Sequence, residues 1–486
     1  MKLLKTLLSG IEVVSCQGNL NQRVNGIQYD SRKVRPGNAF VAIRGFRDDG
    51  NRHVAAAIAA GATAVFSCAP PEPRVSVAWI QVTNERRVLN QLAAAFFDYP
   101  GKHLDVIGVT GTNGKTTTVA LIHHLLSAVE ATARIGTLGA FFADECKKSS
   151  LTTPEAPDLF SFMNEVLLGG GRNLVMEVSS AALDLHRVDN MEFRQAVFTS
   201  FSGDHLDFHQ SMERYLEAKF SLFRKLGAGS WALINVDDPA CRQVIAELNC
   251  PYVTFGFSEN ADIRPLRYHA DIKGLNGVLA TPQGQISFYC PLLGRVNLFN
   301  IMAAVGSALI KGLSRDAIMD RLQSVQALPG RLQPVAGGSA GVIIDYAHTD
   351  GALQQLLISL REITKGKIYL VFGAGGGRDQ SKRRRMGRVA AELADFLLVS
   401  SDNPRLEDPL AIIKDICAGF PPAFNKYLVE ADRRRAIFMA LERAGQDDLV
   451  VIAGKGHEDY QVFADRTVPF FDAGVVSEWL AEKNNG

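Results

Sequence analysis

The run "LDVIGVTGTNGKTTTVALIHHLLSAV", beginning at Leu104, constrains this chain more than any other. An apolar, β-rich segment ends in a turn with glycines at 108, 111 and 114, and a helical pattern leaves that turn at once. A strand delivered into a glycine turn and a helix belongs to parallel α/β architecture, where ligands gather at the carboxyl ends of strands. Backbone N–H groups of such a turn can close around phosphate oxygens. A lysine at the helix start offsets phosphate charge, and the next hydroxyl can meet Mg²⁺. Lys115 and Thr116 hold those positions, with Gly111, Thr112, Asn113, Gly114 and Thr117 around them. The match to G-x-x-x-x-G-K-[ST] is imperfect, because Val109 stands where the first glycine belongs. We read the segment as a nucleoside triphosphate site; the alternative is a glycine turn without nucleotide.

At 486 residues the chain is too long for one core, and about 150 residues per domain predicts three. Two Pro-Gly breaks, "FDYPGKH" and "ALPGRLQPV", divide it into 1–101, 102–328 and 329–486. The first part alternates short strands ("AFVAI", "TAVFS", "AWIQV") with the Ala-rich helix "NRHVAAAIAAGA". Its opening, "MKLLKTLLSGIEVVS", reads as a helix rather than a signal peptide, because Glu12 interrupts the apolar run. Strand–helix alternation is expected to continue to about Leu328. The third part holds four apolar runs, "GVIIDYAH", "KIYLVFGAGG", "DFLLVSSDNP" and "DLVVIAGKGHE", each ending in polar or glycine residues as buried parallel strands do. A net charge of +1 makes no electrostatic case for nucleic acid or a membrane surface, so small-molecule partners are expected. Basic residues cluster locally in "RDQSKRRR" (378–385), as for a local anionic ligand or a solvated loop. Seven scattered cysteines without a CxxC pair fit reduced thiols in a reducing, cytoplasmic compartment, and a monomer is expected.

A metal-bound triphosphate needs acidic or imidazole ligands at neighbouring strand ends. "NLVMEVSS" puts Glu177 near one such end, and "AVFTSFSGDHLDFH" puts Asp204, His205 and Asp207 just past another. Taken singly, each reads equally as a satisfied core residue. "MERYLEAKFSLFRKLGA" (212–228) poses a sharper problem. At helical spacing Met212, Tyr215, Leu216, Leu222, Phe223 and Leu226 form an apolar stripe, and Lys219 falls inside it. Burial lowers a lysine pKa and frees a nucleophilic amine. The plainer reading is a stem covering apolar surface while the ammonium snorkels to water.

Along the chain stand, in order, "GTNGKTTT", "LTTPEAPDL", "MEVSSAAL", "FSGDHLDFHQSMERYLEAKFSLF", "NVDDP", "LPGR", "DYAHTDGAL", "SDNPR" and "GKGHEDYQ". Together they resemble the Mur ligases over essentially the whole length. The resemblance implies an α/β fold of three domains: a small N-terminal UDP-binding domain, a central P-loop ATPase-like parallel sheet and a C-terminal Rossmann-like domain. It also implies an ATP- and Mg²⁺-dependent ligase of bacterial cell-wall peptide, in which a carboxylate is phosphorylated and an incoming amine attacks the acyl phosphate. Family members carry a carbamylated lysine at the position matching Lys219, whose carbamate helps hold a second Mg²⁺. By the same match Lys115 and Thr116 act on phosphate and metal, and Glu177 and His205 ligate metal. Asn297, Asn300, Arg331 and Asp345 resemble the adenosine-binding set, Asn300 at adenine and the last two on the ribose–phosphate side. Asp30, Ser31 and Arg32 look like the uridine-diphosphate site, and Thr152, Thr153, Ser179 and Arg187, with Lys219, like the muramoyl-dipeptide site.

Within the family the chain is most similar to members that add diaminopimelate, which carry Asp402-Asn403-Pro404-Arg405 as here. Arg405 can present a planar fork to the second carboxylate of that amino acid. Glu458 supplies a negative charge for its ammonium, and Arg378, Asn403 and Gly454 supply further polar contacts. Members that add lysine lack the arginine. "GAGGG" (373–377) fails the dinucleotide pattern because Arg378 takes its sixth position. Ala181 stands where the family usually has histidine, Val296 where it has an aromatic residue, Gly377 where it has aspartate and Arg384 where it has proline. The competing readings are a lysine-adding or other amide ligase of the superfamily, such as a folylpolyglutamate synthetase or the D-Ala-D-Ala-adding enzyme, and a catalytically silent nucleotide-binding scaffold. The Arg405–Glu458 pairing argues against the first, and the set of Lys115, Glu177, His205 and Lys219 against the second.

Overall fold

Three sheets rich in parallel strands follow one another along the chain, as seen in a computed structural model that describes residues 1–45, 48–71, 76–149, 151–335, 338 and 340–484. The first has five strands in the spatial order 13–17, 78–82, 64–67, 38–41 and 26–28, packed on a core that includes Phe66, Ile80 and Leu89. The opening segment corrects the expected helix. Only Leu4–Leu7 is helical, and Val13–Gln17 is a strand paired antiparallel with Ala78–Val82. Gly10, at φ 78°, breaks the helical run, and the β-branched pair Val13–Val14 suits the pleat that follows.

The central sheet has eight strands, in the order 145–147, 139–142, 132–136, 173–177, 105–110, 193–198, 226–235 and 252–255. All run parallel except 139–142, which pairs antiparallel with both 132–136 and 145–147 at the edge. Strand Asp105–Thr110 lies between Asn173–Glu177 and Phe193–Phe198, so the glycine turn, Glu177 and the 199–205 loop leave adjacent strands at one end. Its side chains alternate as a two-sided strand requires. Ile107 and Val109 join helices Lys115–Leu126 and Val296–Ile310 on one face, and Val106 joins helices Ala156–Leu168 and Met212–Phe223 on the other.

Two further expectations need correction here. Alternation does not continue to Leu328, because Arg264–Asp271, Gly274–Thr281 and Gly284–Cys290 form a separate antiparallel sheet. Their two-residue connections can join only antiparallel neighbours. Leu226 is not part of the helical stripe: the helix ends at Phe223, and Leu226 opens strand Leu226–Asn235, with the poor helix formers Gly227 and Gly229 behind it.

The last sheet runs 333–335, 341–345, 449–453, 368–372, 396–399 and 427–429, parallel but for the first. All four apolar runs read from the sequence are strands here. Asp345 ends the first, and Gly373, Ser400 and Gly454 follow the others, all at one edge. Helices cover both faces. A fully buried ion pair fixes one of those faces. Arg433 donates from Nε and Nη2 to the two oxygens of Asp472 at 2.8 and 2.9 Å, and from Nη2 to Ala453 O at 3.0 Å. Among the described residues no helix is long and apolar enough to cross a membrane.

Removing one partner of a buried pair strands a charge in the core. Asp472→Asn should lower stability by about 3–5 kcal/mol, read as a lower urea midpoint, whereas Arg433→Met combined with Asp472→Leu should cost less than the single change.

Candidate active site

The glycine turn is held in shape by its neighbours. Gly111 lies at φ 146° and Gly114 at φ 85°; a Cβ on the first would sit 2.0 Å from Thr199 Oγ1, and one on the second 2.6 Å from Asn300 Oδ1. Thr112 N donates to Ser200 O at 2.8 Å, and Asn113 N to Ser200 Oγ at 3.0 Å. Asn300 braces the turn from behind. Its Oδ1 accepts from Thr118 Oγ1 at 3.1 Å, and its Nδ2 donates to Asn297 Oδ1 at 2.9 Å. Asn297 and Asn300 are both buried with their amides engaged in the protein.

Two lysines converge on one carbonyl. Lys115 Nζ donates to Gly111 O at 2.8 Å and Thr112 O at 2.9 Å, while Lys219 Nζ reaches the same Gly111 O at 2.9 Å. Lys219 is 1% exposed, and its ammonium lies 4.3 Å from the centre of the Tyr215 ring. Snorkelling is therefore excluded. Burial drives its pKa well below the usual lysine range, and the charge of Lys115 drives it further. Burial lowers Lys115 too, against the pull of Glu177 and Asp204. A fraction of neutral amine results.

Glu177 ends its strand with a buried carboxylate, accepting from Thr137 N at 2.8 Å and from Thr137 Oγ1 at 3.2 Å. His205 follows at φ 54° with a ring more than half exposed, 3.5 Å from Asp204 Oδ2. Burial within the loop and the charges of Lys115 and Lys219 lower its pKa, an effect that solvent screening tempers. For Asp204, burial pushes upward, but His205, His348 and Lys115 leave the carboxyl below its usual value. Asp207 faces solvent. Among the described residues no three His, Cys, Asp or Glu side chains cluster tightly enough to hold a metal alone. The hydroxyl of Thr116 and the carboxylate of Glu177 are nevertheless hard oxygen donors of the kind Mg²⁺ takes. Ser202 Oγ, on the loop bonded to Thr112, is buried without a partner.

The last sheet reaches this loop through Arg331. Its Nη2 donates to Thr116 Oγ1 at 3.2 Å, and its guanidinium lies 4.8 Å from the Tyr346 ring centre. Asp345 accepts from Leu332 N and Ala347 N, each at 2.8 Å, and burial raises its pKa. At the same edge Asp402, Asn403 and Pro404 are buried, and Arg405 (φ 54°) donates to Gly376 O at 2.8 Å. A Cβ on Gly454 would come within 2.6 Å of Asp402 Oδ2. Glu458 Oε2 accepts from Asn403 Nδ2 at 2.7 Å and from Lys455 Nζ at 3.0 Å. Arg378 is exposed.

Four more residues named from the sequence stand beside Glu177. Thr153 Oγ1 donates to Glu177 O at 2.9 Å and accepts from Ser179 N at 3.1 Å. Arg187 binds Glu155 Oε1 at 3.0 Å and Thr153 O at 3.0 Å, and Thr152 Oγ1 lies 3.3 Å from Thr137 Oγ1. Ser31 sits apart, in a turn of the first sheet capped by Asp30, whose carboxylate also binds Arg32 at 2.8 and 2.9 Å. Tyr29 OH joins that sheet to Asp158 at 2.7 Å. Sequence reading missed Thr137, Glu155 and Lys455. The last carries a signal, a lysine between glycines in "GKGHE".

Residues 109–308 match the Mur ligase middle domain, 330–456 the Mur ligase glutamate ligase domain, and 23–97 the Mur ligase family catalytic domain. The chain belongs to the Mur ligase family. This Mur ligase is 41% identical over 461 residues to the UDP-N-acetylmuramoyl-L-alanyl-D-glutamate–2,6-diaminopimelate ligase of Solibacter usitatus, covering 94% of the chain and 93% of that protein. It is 42% identical over 465 residues to the protein of the same name from Gloeobacter violaceus, with 95% of each covered. A solved structure of a ligase so named superposes over 100% of both chains, with a TM-score of 0.69 and 31% identity.

Gly111→Ala must drive a methyl into Thr199 in a backbone conformation that side chains rarely adopt. It should abolish measurable ATP binding by calorimetry while leaving the circular dichroism spectrum unchanged.

Proposed function

We propose that this Mur ligase adds meso-diaminopimelate to the D-glutamate of UDP-N-acetylmuramoyl-L-alanyl-D-glutamate, using ATP and forming ADP and phosphate. One observation carries the reading. Arg331 joins the phosphate loop to the sheet whose strand ends hold Asp402–Arg405 and Glu458, so a phosphorylated carboxylate and an amino acid can meet across a single 3.2 Å contact. The name shared by relatives of nearly the same length supports the choice of substrate.

In the proposed reaction, residues 1–101 hold the UDP end through Ser31, residues 102–328 bind ATP, and residues 329–486 receive the amino acid. Lys115 leaves the carbonyls of its own loop to offset charge on the triphosphate, and the loop N–H groups cradle its oxygens. Thr152, Thr153, Ser179 and Arg187 orient the dipeptide. The D-glutamate carboxylate oxygen attacks the γ-phosphorus, and ADP leaves with the electron pair. The free amine of diaminopimelate then attacks the acyl carbon. The C–N bond forms, the C–O bond to phosphate breaks, and phosphate departs with that pair as nitrogen loses its proton. Arg405 forks onto the distal carboxylate, and Glu458 meets the distal ammonium. Lys219, as free amine, adds carbon dioxide and releases a proton, turning a buried neutral amine into an anion. Mg²⁺ held by Thr116, Glu177, His205 and that carbamate would offset repulsion between carboxylate and triphosphate. The UDP-linked substrate is a soluble precursor, in keeping with a cytoplasmic reaction by a monomer.

Phosphate release with ATP, Mg²⁺ and the UDP-dipeptide should require diaminopimelate, and L-lysine should not replace it; turnover with lysine alone would overturn the assignment. Arg405→Ala should raise the KM for diaminopimelate about 10- to 100-fold with little change in the KM for ATP. Lys219→Ala should retain ATP binding yet lose turnover by about 10²- to 10³-fold. Native mass spectrometry near neutral pH should find one carbon dioxide on the wild-type chain and none on the variant.

A further inference from the structure

Lys455 is a lysine with no access to water: its side chain is 0% exposed. Lysine is almost never fully buried unless paired, because an ammonium removed from water must recover its hydration from fixed partners. Its partners here are the residues around the proposed amino-acid pocket. Nζ donates to Asn403 Oδ1 at 3.2 Å and to Glu458 Oε2 at 3.0 Å, and the Tyr460 ring centre lies 5.6 Å away. Asn403 closes the triangle by donating from Nδ2 to Glu458 Oε2 at 2.7 Å, while its Oδ1 also accepts from Val462 N at 3.0 Å. Glu458 thus has one oxygen held by two donors, and its Oε1 accepts nothing from the described residues.

The backbone forces this inward turn. Gly454 (φ 113°) and Gly456 (φ 56°) flank Lys455, and neither has room for a side chain. A Cβ on Gly454 would meet Asp402 Oδ2 at 2.6 Å, and one on Gly456 would meet Tyr346 Cβ at 2.7 Å. Around this turn stand the carboxylates of Asp402 and Glu458 and the ammonium of Lys455, with the charges of Arg433 and Lys382 acting on Asp402 from neighbouring helices. Asp402 is 6% exposed; its carbonyl oxygen accepts from Gln461 Nε2 at 2.6 Å, while its carboxylate accepts no hydrogen bond from the described residues.

We propose that Lys455 is a positioning residue that sets the affinity for the distal ammonium of the incoming diamino acid. It pins Glu458 Oε2 so that Oε1 faces the ligand. Lys455 does not touch the substrate. Asn403 shares the task, so its amide acts on Glu458 more than on the ligand. The inference rests on the reading of Glu458 given above.

The test is a double-mutant cycle on the full-length protein, with KM for diaminopimelate, KM for ATP and kcat measured for Glu458→Gln, Lys455→Met and the two combined. Glu458→Gln and Lys455→Met should each raise the amino-acid KM about 10- to 100-fold, with the KM for ATP unchanged. The double variant should be no worse than Glu458→Gln alone, because Lys455 acts only through that carboxylate. The double variant removes the Lys455 ammonium together with its Glu458 carboxylate partner, so if Lys455→Met fails to fold, comparing it with Glu458→Gln still decides. Multiplying effects, or an unchanged amino-acid KM in Lys455→Met, would overturn the positioning role while sparing the role of Glu458. An unchanged amino-acid KM in Glu458→Gln would overturn both.

Discussion

The carbonyl oxygen of Gly111 takes hydrogen bonds from two ammonium groups, and much of the site's arrangement follows from that sharing. Two like charges drawn to one dipole raise each other's energy unless anions or a lost proton relieve them. Both remedies are built in. Glu177 and Asp204 stand close enough to pull on Lys115, and the deeper Lys219 has a strongly lowered pKa. Tyr215 serves both ends of this device, its ring against Lys219 and its hydroxyl 3.2 Å from Thr112 Oγ1 of the phosphate loop. An incoming triphosphate would relieve the crowding by drawing Lys115 away, so the loop holds a charge arrangement that its ligand improves.

The fold positions these groups through strand adjacency. Because Asp105–Thr110 runs between Asn173–Glu177 and Phe193–Phe198, residues far apart in sequence emerge side by side. The last sheet repeats the principle with strands ending at Asp345, Phe372, Val399 and Ala453. Parallel pairing makes this automatic: every carboxyl end faces the same way, and the loops have one place to meet.

Buried parallel strands were legible in the sequence because they announce themselves as apolar runs, and the glycine turn because only a few residue types tolerate its backbone. The antiparallel sheet of residues 264–290 was harder to see, since strands such as "RPLRYHAD" lie half in water and carry mixed side chains. The opening helix was overextended because "KLLKTLL" has helical periodicity, while its fate was decided by pairing with a strand some sixty residues on. Lys219 was legible as an anomaly, but its partner was not, because Gly111 is remote in sequence. Asn300 reads as a ligand contact by resemblance; here it is a brace whose amide is already engaged. Partner identity, unlike burial, is a property of the assembled chain.

The junction between the central and last sheets is unequal from one side to the other. On one side Leu293, from the central part, is buried in the core of the last sheet beside Leu332 and Leu353. On the other, the parts touch through the Arg331–Thr116 hydrogen bond and the exposed Lys148–Asp459 pair at 3.3 Å. A buried leucine contributes about 2 kcal/mol, while an exposed ion pair contributes at most about 1 kcal/mol. Parting the polar side is therefore cheap and parting the apolar side is not. The molecule is built like a clasp, greased at the pivot and nearly unfastened at the mouth.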